Sequence, residues 1–299
     1  MAGSIPASDT TSATPRRVAA SPTGRVVTRF RRNRLAAAAL VVLGAVHVLV
    51  LLAPWIAPHS PEAVSLVKRL QPPTGEHWLG TDEYGRDVLT RLLYGGRVSL
   101  AVALASMTAS ILLGVAIGAL AGYAGGPTDA LLMRVTDGML AVPLFFIALM
   151  ALATLGATLL NLVVVIALSS WMAVARAVRA EVLRTRELEF ILAARALGCG
   201  RLRIVARHVV PQSVPSITVA ATLGIAFTVL LESSLSFLGL GVQPPAASWG
   251  NMLSGARGYL RTAPALAVVP GVLIFVTVLC YNWFGDGLRD AIDPTLAER

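Results

Sequence analysis

Glu189-Phe190-Ile191-Leu192-Ala193-Ala194-Arg195-Ala196-Leu197-Gly198-Cys199-Gly200-Arg201-Leu202-Arg203-Ile204-Val205-Ala206-Arg207-His208-Val209-Val210-Pro211 lies between two long apolar blocks. Phe190, Ala194 and Leu197 recur at i, i+4 and i+7, which puts an apolar stripe on a first short helix. Gly198 and Gly200 suit the left-handed backbone that closes a helix, and Pro211 is expected to end a second short one. The stretch carries four arginines between spans, which places it on the cytosolic side of a membrane. An apolar-faced helix on a basic loop has nothing of its own to pack on, so it needs a partner.

Of the 299 residues, 56% are hydrophobic and only 14% are charged, which excludes an ordinary soluble domain. The apolar residues come in blocks of about twenty, the length that crosses about 30 Å of hydrocarbon. A net charge of +9 would suit nucleic acid, but the arginines gather at the ends of apolar blocks, as positive-inside topology requires. The expected surroundings are therefore membrane lipid, with no nucleic-acid partner. Cys199 falls in the loop and Cys280 in a span, which argues against a disulfide. His47, His59, His77 and His208 are scattered without metal-ligand spacing, so no metal site is expected.

Taken in order, residues 1–24 are rich in Ser, Thr, Ala and Pro and read as a disordered tail. Residues 25–94 open with five arginines between Arg25 and Arg34, then hold a first span over 35–57 and an external segment of about forty residues. His47, inside that span, is expected to be a neutral imidazole bonded to a neighbouring helix. Asp82, Glu83 and Asp87, interleaved with Arg86 and Arg91, read as an ion-paired start to the next helix rather than as acid–base catalysts. The second span covers 98–123, where Gly114, Gly118 and Gly122 form a stripe for close helix packing. Gly125-Gly126-Pro127-Thr128-Asp129 then makes a short cytosolic turn, near Arg134 and Asp137. A third span is expected over 139–155 and a fourth over 159–178, with Arg176, Arg179, Arg184 and Arg186 crowding its exit.

The fifth span, 217–238, contains Glu232. A carboxylate there is costly unless neutralised, paired or facing water. Two readings stand side by side: a group on the translocation pathway near the outer mouth, or a hydrogen-bonded acid tying helices together, with Ser233, Ser234 and Ser236 at hand. The Gly- and Pro-rich run after it implies irregular backbone, tolerated at membrane depth only when buried in protein or lining a cavity. A sixth span over 265–284 leads to a cytosolic tail, 287–299. The chain thus reads as an all-α integral membrane protein of six transmembrane helices with both termini cytosolic.

The first-quoted stretch resembles the EAA loop of ABC importer permeases, with Ala193-Ala194, Gly198 and the tail Val209-Val210-Pro211 in register and Leu192 where the family has Glu. Asp129, Arg134 and Asp137 resemble the same family's Asp-x(4)-Arg-x(2)-Asp element. Two further runs resemble the C-type permeases of dipeptide and oligopeptide importers. One is His77-Trp78-Leu79-Gly80-Thr81-Asp82-Glu83-Tyr84-Gly85-Arg86-Asp87; the other is Leu235-Ser236-Phe237-Leu238-Gly239-Leu240-Gly241-Val242-Gln243-Pro244-Pro245 with Ala247-Ser248-Trp249-Gly250-Asn251. The resemblance covers nearly all of the chain from about residue 25.

It implies the type I ABC importer permease fold, with the core over 95–286 and a coupling loop over 187–212. Glu189, Phe190, Leu192, Ala193, Ala194, Arg195 and Gly198 would then face an ATPase. Implied partners are a second related permease, two ATPase domains on separate or fused chains, and an external substrate-binding protein, all at a prokaryotic cytoplasmic membrane. The implied cargo is a di- or oligopeptide, with nickel chelates and haem-like molecules as other loads in such systems. The sequence contains no Gly-x(4)-Gly-Lys-Ser/Thr phosphate loop, and its one lysine, Lys68, lies in the external segment. It assembles no nucleophile–base set either, so the chain reads as non-catalytic and without a cofactor, ATP being bound by partner subunits. An ion-driven secondary transporter is the alternative; it would need several intramembrane charges and an internal repeat, where the sequence offers one acid and no repeat.

Overall fold

A computed structural model describes residues 22–292. The tail expected over 1–24 therefore lies outside the described residues up to 21, and its last three residues open a helix. That helix, α1 (Pro22–Arg32), lies along the end of the chain, where Phe30 meets Phe284 edge-on with ring centroids 5.6 Å apart. Asn33 caps α2 (Arg34–Leu51) by accepting the Ala36 N–H at 3.2 Å, the role its short amide suits. The expected first span ends early: Pro54 sits at the start of a separate turn, α3 (Ala53–Ile56). Inside α2, His47 Nδ1 lies 2.8 Å from the Leu43 carbonyl and Nε2 lies 3.1 Å from the Tyr281 hydroxyl, the cross-helix tie expected of it.

The next helix, α4 (Val88–Ala124), begins ten residues before the expected span. Its 37 residues reach about 55 Å, well beyond the hydrocarbon thickness, so its first turns stand outside the apolar layer. Gly125, at φ +66°, ends α4 and opens α5 (Gly126–Leu140), a helix of 15 residues where a short turn was expected. The expected third span is not one rod. α5 and α6 (Leu144–Leu155) meet at 82° around Pro143, which has no N–H to give and forces its predecessor out of helical backbone. Twelve residues of α6 reach only about 18 Å, so α6 alone is too short to cross about 30 Å of hydrocarbon.

After it comes α7 (Leu159–Thr185), then α8 (Glu189–Ala196) and α9 (Arg201–Ile204). Pro211 does not end the second loop helix. A π turn over Val205–Val209 joins α9 to α10 (Val210–Phe237), with Pro211 in the first turn of α10. Proline is tolerated there because the wider turn shifts the preceding carbonyls and needs no donor at that place. An irregular segment follows, then α11 (Trp249–Ala256) and α12 (Ala265–Ile292). Asp286, Arg289 and Asp290 belong to α12, so the tail expected from 287 is helical as far as 292; the remainder lies outside the described residues.

Among the described residues, five helices (α2, α4, α7, α9–α10 and α12) are long and apolar enough to cross a membrane, and the bent α5–α6 pair passes the same test when its two helices are taken together. The glycine stripe decides how they pack. A Cβ on Gly114 would lie 2.6 Å from Val174 Cβ, and one on Gly122 would lie 2.9 Å from Val182 Cβ, so α4 and α7 touch along their whole shared length. In hydrocarbon, such close approach replaces the water-driven association of soluble helices. On the outer side Trp249 is wholly buried among α2, α4, α10 and α12, with Gly96 against its ring and Nε1 donating to the Leu92 carbonyl at 3.0 Å.

Candidate functional site

The cytosolic loop is held by two residues and presents four others. Ile191 and Ile204 are fully buried and pack with Val178 and Val182 of α7. Ala194 turns inward beside them, while Phe190, Leu192, Leu197 and Leu202 face out, with Leu197 85% exposed. The stripe read from the sequence is thus divided: Ala194 serves the fold, and Phe190 and Leu197 are offered outward. Gly198 sits at φ +80°, and a Cβ there would meet nothing, so the left-handed turn rather than crowding requires glycine. Its N–H bonds the Arg195 carbonyl at 2.9 Å, while the Arg195 guanidinium lies 5.1 Å from the centre of the Tyr123 ring. Glu189 opens α8 with a negative charge at the positive end of its dipole, and Ala193 lies exposed on the same helix.

Beside this loop, charges tie α5 to α7. Arg179 grips Asp129 with both Nε (2.5 Å) and Nη2 (2.6 Å), Arg176 pairs with Asp137, and Arg186 donates to the Gly122 carbonyl at 2.9 Å. Such forked pairing fixes orientation as well as distance. The loop and the α5 charges therefore ride on one rigid frame, the cytosolic end of α7.

At the outer end, Asp82 accepts the N–H groups of Tyr84 and Arg86, each at 2.9 Å, and the Arg86 Nε at 2.7 Å, and faces Arg91 Nε at 3.3 Å. Asp87 caps α4 by accepting the Thr90 N–H at 2.8 Å. These acids are saturated by the fold, the ion-paired helix start expected of them. Asp82 and Glu83 border a cavity of about 230 Å³ whose polar wall also includes Gln243 and Asn251.

Glu232 stands behind that wall, wholly buried. Ser236 donates to its Oε1 at 2.7 Å and Ser233 lies 3.4 Å from Oε2, while the hydroxyls of Ser99 and Ser248 also reach the carboxyl. Three of these serines do double duty. Ser236 accepts the Val242 N–H (3.0 Å), Ser99 that of Trp249 (3.2 Å) and Ser248 that of Asn251 (3.2 Å). A hydroxyl that accepts from backbone has its own proton left to give, and Ser236 gives its proton to Glu232. Asn251 completes the arrangement by donating to the Val242 and Ala246 carbonyls at 3.2 and 2.8 Å. The irregular segment after α10 is thereby pinned to one acid; the sequence showed the acid but neither Ser99 nor Ser248 as its partners.

The histidines are not all scattered. His59 and His77 lie ring against ring, centroids 4.6 Å apart, with Glu76 beside them. Separation along the chain concealed this.

Comparison with known proteins comes to a consistent result. Residues 114–297 match the family described as binding-protein-dependent transport system inner membrane component, and residues 21–73 match the N-terminal TM domain of oligopeptide transport permease C. The dipeptide transport system permease protein DppC of Alkalihalophilus pseudofirmus is 40% identical over 93% of this chain and 91% of its own. The nickel transport system permease protein NikC of Escherichia coli is 40% identical over 86% of this chain and 93% of its own. The glutathione transport system permease protein GsiD of Pectobacterium atrosepticum is 40% identical over 90% and 89%.

Proposed function

The chain belongs to the binding-protein-dependent inner membrane components of ABC importers, as a C-type permease subunit, and on that premise we propose that it moves di- or oligopeptides inward by alternating access. It is an all-α inner-membrane protein of the type I permease fold, and a non-catalytic component of its transport system. In our reading ATP is bound and hydrolysed by two partner ATPase domains, a second related permease completes the channel, and an external protein delivers the cargo.

The observation that carries this reading is the outward row Phe190, Leu192, Leu197 and Leu202, held out from the bundle by buried Ile191 and Ile204. Exposed apolar side chains grouped on a basic cytosolic loop mark a docking surface. Glu189, Ala193, Ala194, Arg195 and Gly198 shape that surface: Gly198 by its turn, Arg195 by its hold on Tyr123. The loop is continuous with α10 through the π turn, so a push on it is transmitted to a helix that reaches the outer mouth. An apolar cavity of about 440 Å³, bordered by Met107, Met139, Met172 and Phe227, provides this chain's share of an inner passage. Glu232, enclosed by serines, suits a brace that keeps the outer segment in shape as the helices rock.

Reconstitution with a paired permease and candidate ATPases tests the reading. Gly198→Asp should abolish ATP-coupled uptake of a labelled dipeptide while the complex still assembles; normal uptake by that variant refutes the docking role. Cargo is tested separately, by whether dipeptides or nickel and glutathione compete for uptake. Relatives carry all three names, and only dipeptide competition upholds the peptide assignment.

A further inference from the structure

On the outer face, His77 is 4% exposed, yet only one of its ring nitrogens is used. Nδ1 lies 2.9 Å from Asp87 Oδ1, and the other oxygen of Asp87 is taken by the α4 cap. An ionised carboxylate accepts only, so Nδ1 is the donor, and in the neutral imidazole Nε2 keeps its lone pair. That Nε2 has no hydrogen-bond partner and lies 3.9 Å from Glu76 Oε1. A buried imidazole bonded to a carboxylate on one side and bare on the other is the arrangement in which a histidine holds a metal ion. His59 packs against the same ring, and its Nδ1 also lacks a hydrogen bond, the nearest acid being Asp87 Oδ1 at 3.8 Å. One ligand atom from each of His59, Glu76 and His77 lies within 4.8 Å of the others.

We propose that His59, Glu76 and His77 form an external binding site for a borderline divalent transition-metal ion of the zinc class, with Asp87 as the positioning residue. Two imidazoles and one carboxylate make a mixed nitrogen–oxygen donor set, which such ions prefer and calcium or magnesium does not. Around a tetrahedral ion the donors stand about 3.4 Å apart, so the site closes by a side-chain movement of about 1 Å. Glu76 is exposed and His59 half-buried, so neither is locked in the core. A cation already occupies the position in part, because the Lys68 ammonium bonds Glu76 Oε1 and holds that carboxyl below the usual carboxylate range. The ion would displace it. Bound there, the metal ties the segment leaving the first span to the cap of α4, alongside the weaker link from Arg91 to the Pro61 carbonyl at 3.4 Å.

The test is a zinc titration of the full, tag-free chain in detergent after chelator treatment, by calorimetry, with X-ray absorption to count nitrogen and oxygen ligands. The expected result is one site with two histidine ligands, weakened at least tenfold in His59→Ala and in Glu76→Gln. Both side chains lie away from the core, so these variants retain the fold. Lys68→Met should tighten binding severalfold by removing the competing ammonium, a gain that misfolding cannot imitate. Asp87→Asn, an equally good helix cap, should weaken zinc about ten- to a hundredfold with the melting temperature kept. Absence of zinc binding to the wild-type chain, or equal binding by the His59→Ala and Lys68→Met variants, overturns the proposal.

Discussion

A Cβ built on Gly118 would stand 2.4 Å from the carbonyl oxygen of Ala175, so α4 and α7 meet backbone to backbone at that point. No side chain lies between them to give way. The contact also makes the ends of these two helices one frame for the α8–α9 loop.

Gly118→Ala should therefore destabilise the chain by about 1–3 kcal/mol, the usual cost of overpacking a well-packed contact. Gly44→Ala in α2, where an added Cβ meets nothing within 4 Å, is the control and should be neutral. Thermal unfolding of the two variants in detergent decides the matter, and equal melting temperatures would show that the helices slide apart freely.

Leu197→Asp should separate docking from stability. The side chain is 85% exposed, so the melting temperature should stay at the wild-type value. Pull-down of ATPase subunits should fail, because a charge would enter an apolar contact. Ile191→Asp, by contrast, should unfold the loop itself, since Ile191 is wholly buried. If ATPase binding survives in Leu197→Asp, the docking surface lies elsewhere.

For Glu232 the expected order is wild type, then Gln, then Ala. Glu232→Gln keeps an oxygen for Ser236 and should cost about 1 kcal/mol. Glu232→Ala strands buried hydroxyl donors, each worth about 1–3 kcal/mol unsatisfied, and should also loosen the segment after α10. The readout is unfolding together with thiol labelling of Ala246→Cys, half-buried in that segment. Labelling should speed up in the Glu232→Ala background, and unchanged labelling would remove the brace role.

Asp129 and Arg179 should show measurable coupling. Their forked pair is only partly exposed, so a double-mutant cycle with Asp129→Asn and Arg179→Gln is expected to give about 1 kcal/mol, at the upper end for such pairs. Additive effects of the two changes would mean that the pair orients α5 without stabilising it.

The apolar crossings and the glycine stripe were legible along the chain. Lipid imposes a one-dimensional rule, since an apolar run of sufficient length must cross and arginine must stay inside. Gly114, Gly118 and Gly122 likewise announce themselves by period alone. The shape of each crossing was less legible. Pro143 and Pro211 look alike in sequence, yet one bends the chain by 82° and the other rides in the first turn of a helix after a π turn. What differs is the carbonyl register of the turn before each proline, which local sequence does not display.

What the sequence determined by itself, then, was the class of molecule: an all-α membrane protein with a basic loop between two of its spans. Only the tertiary structure decided which side chains meet. It turned Ala194 inward and Leu197 outward, brought Ser99 and Ser248 to Glu232, and set His59 against His77. The physical reason is that membrane insertion depends on each segment's own transfer to lipid. A hydrogen bond or a ligand set depends on distances between segments that the chain holds far apart until the helices pack.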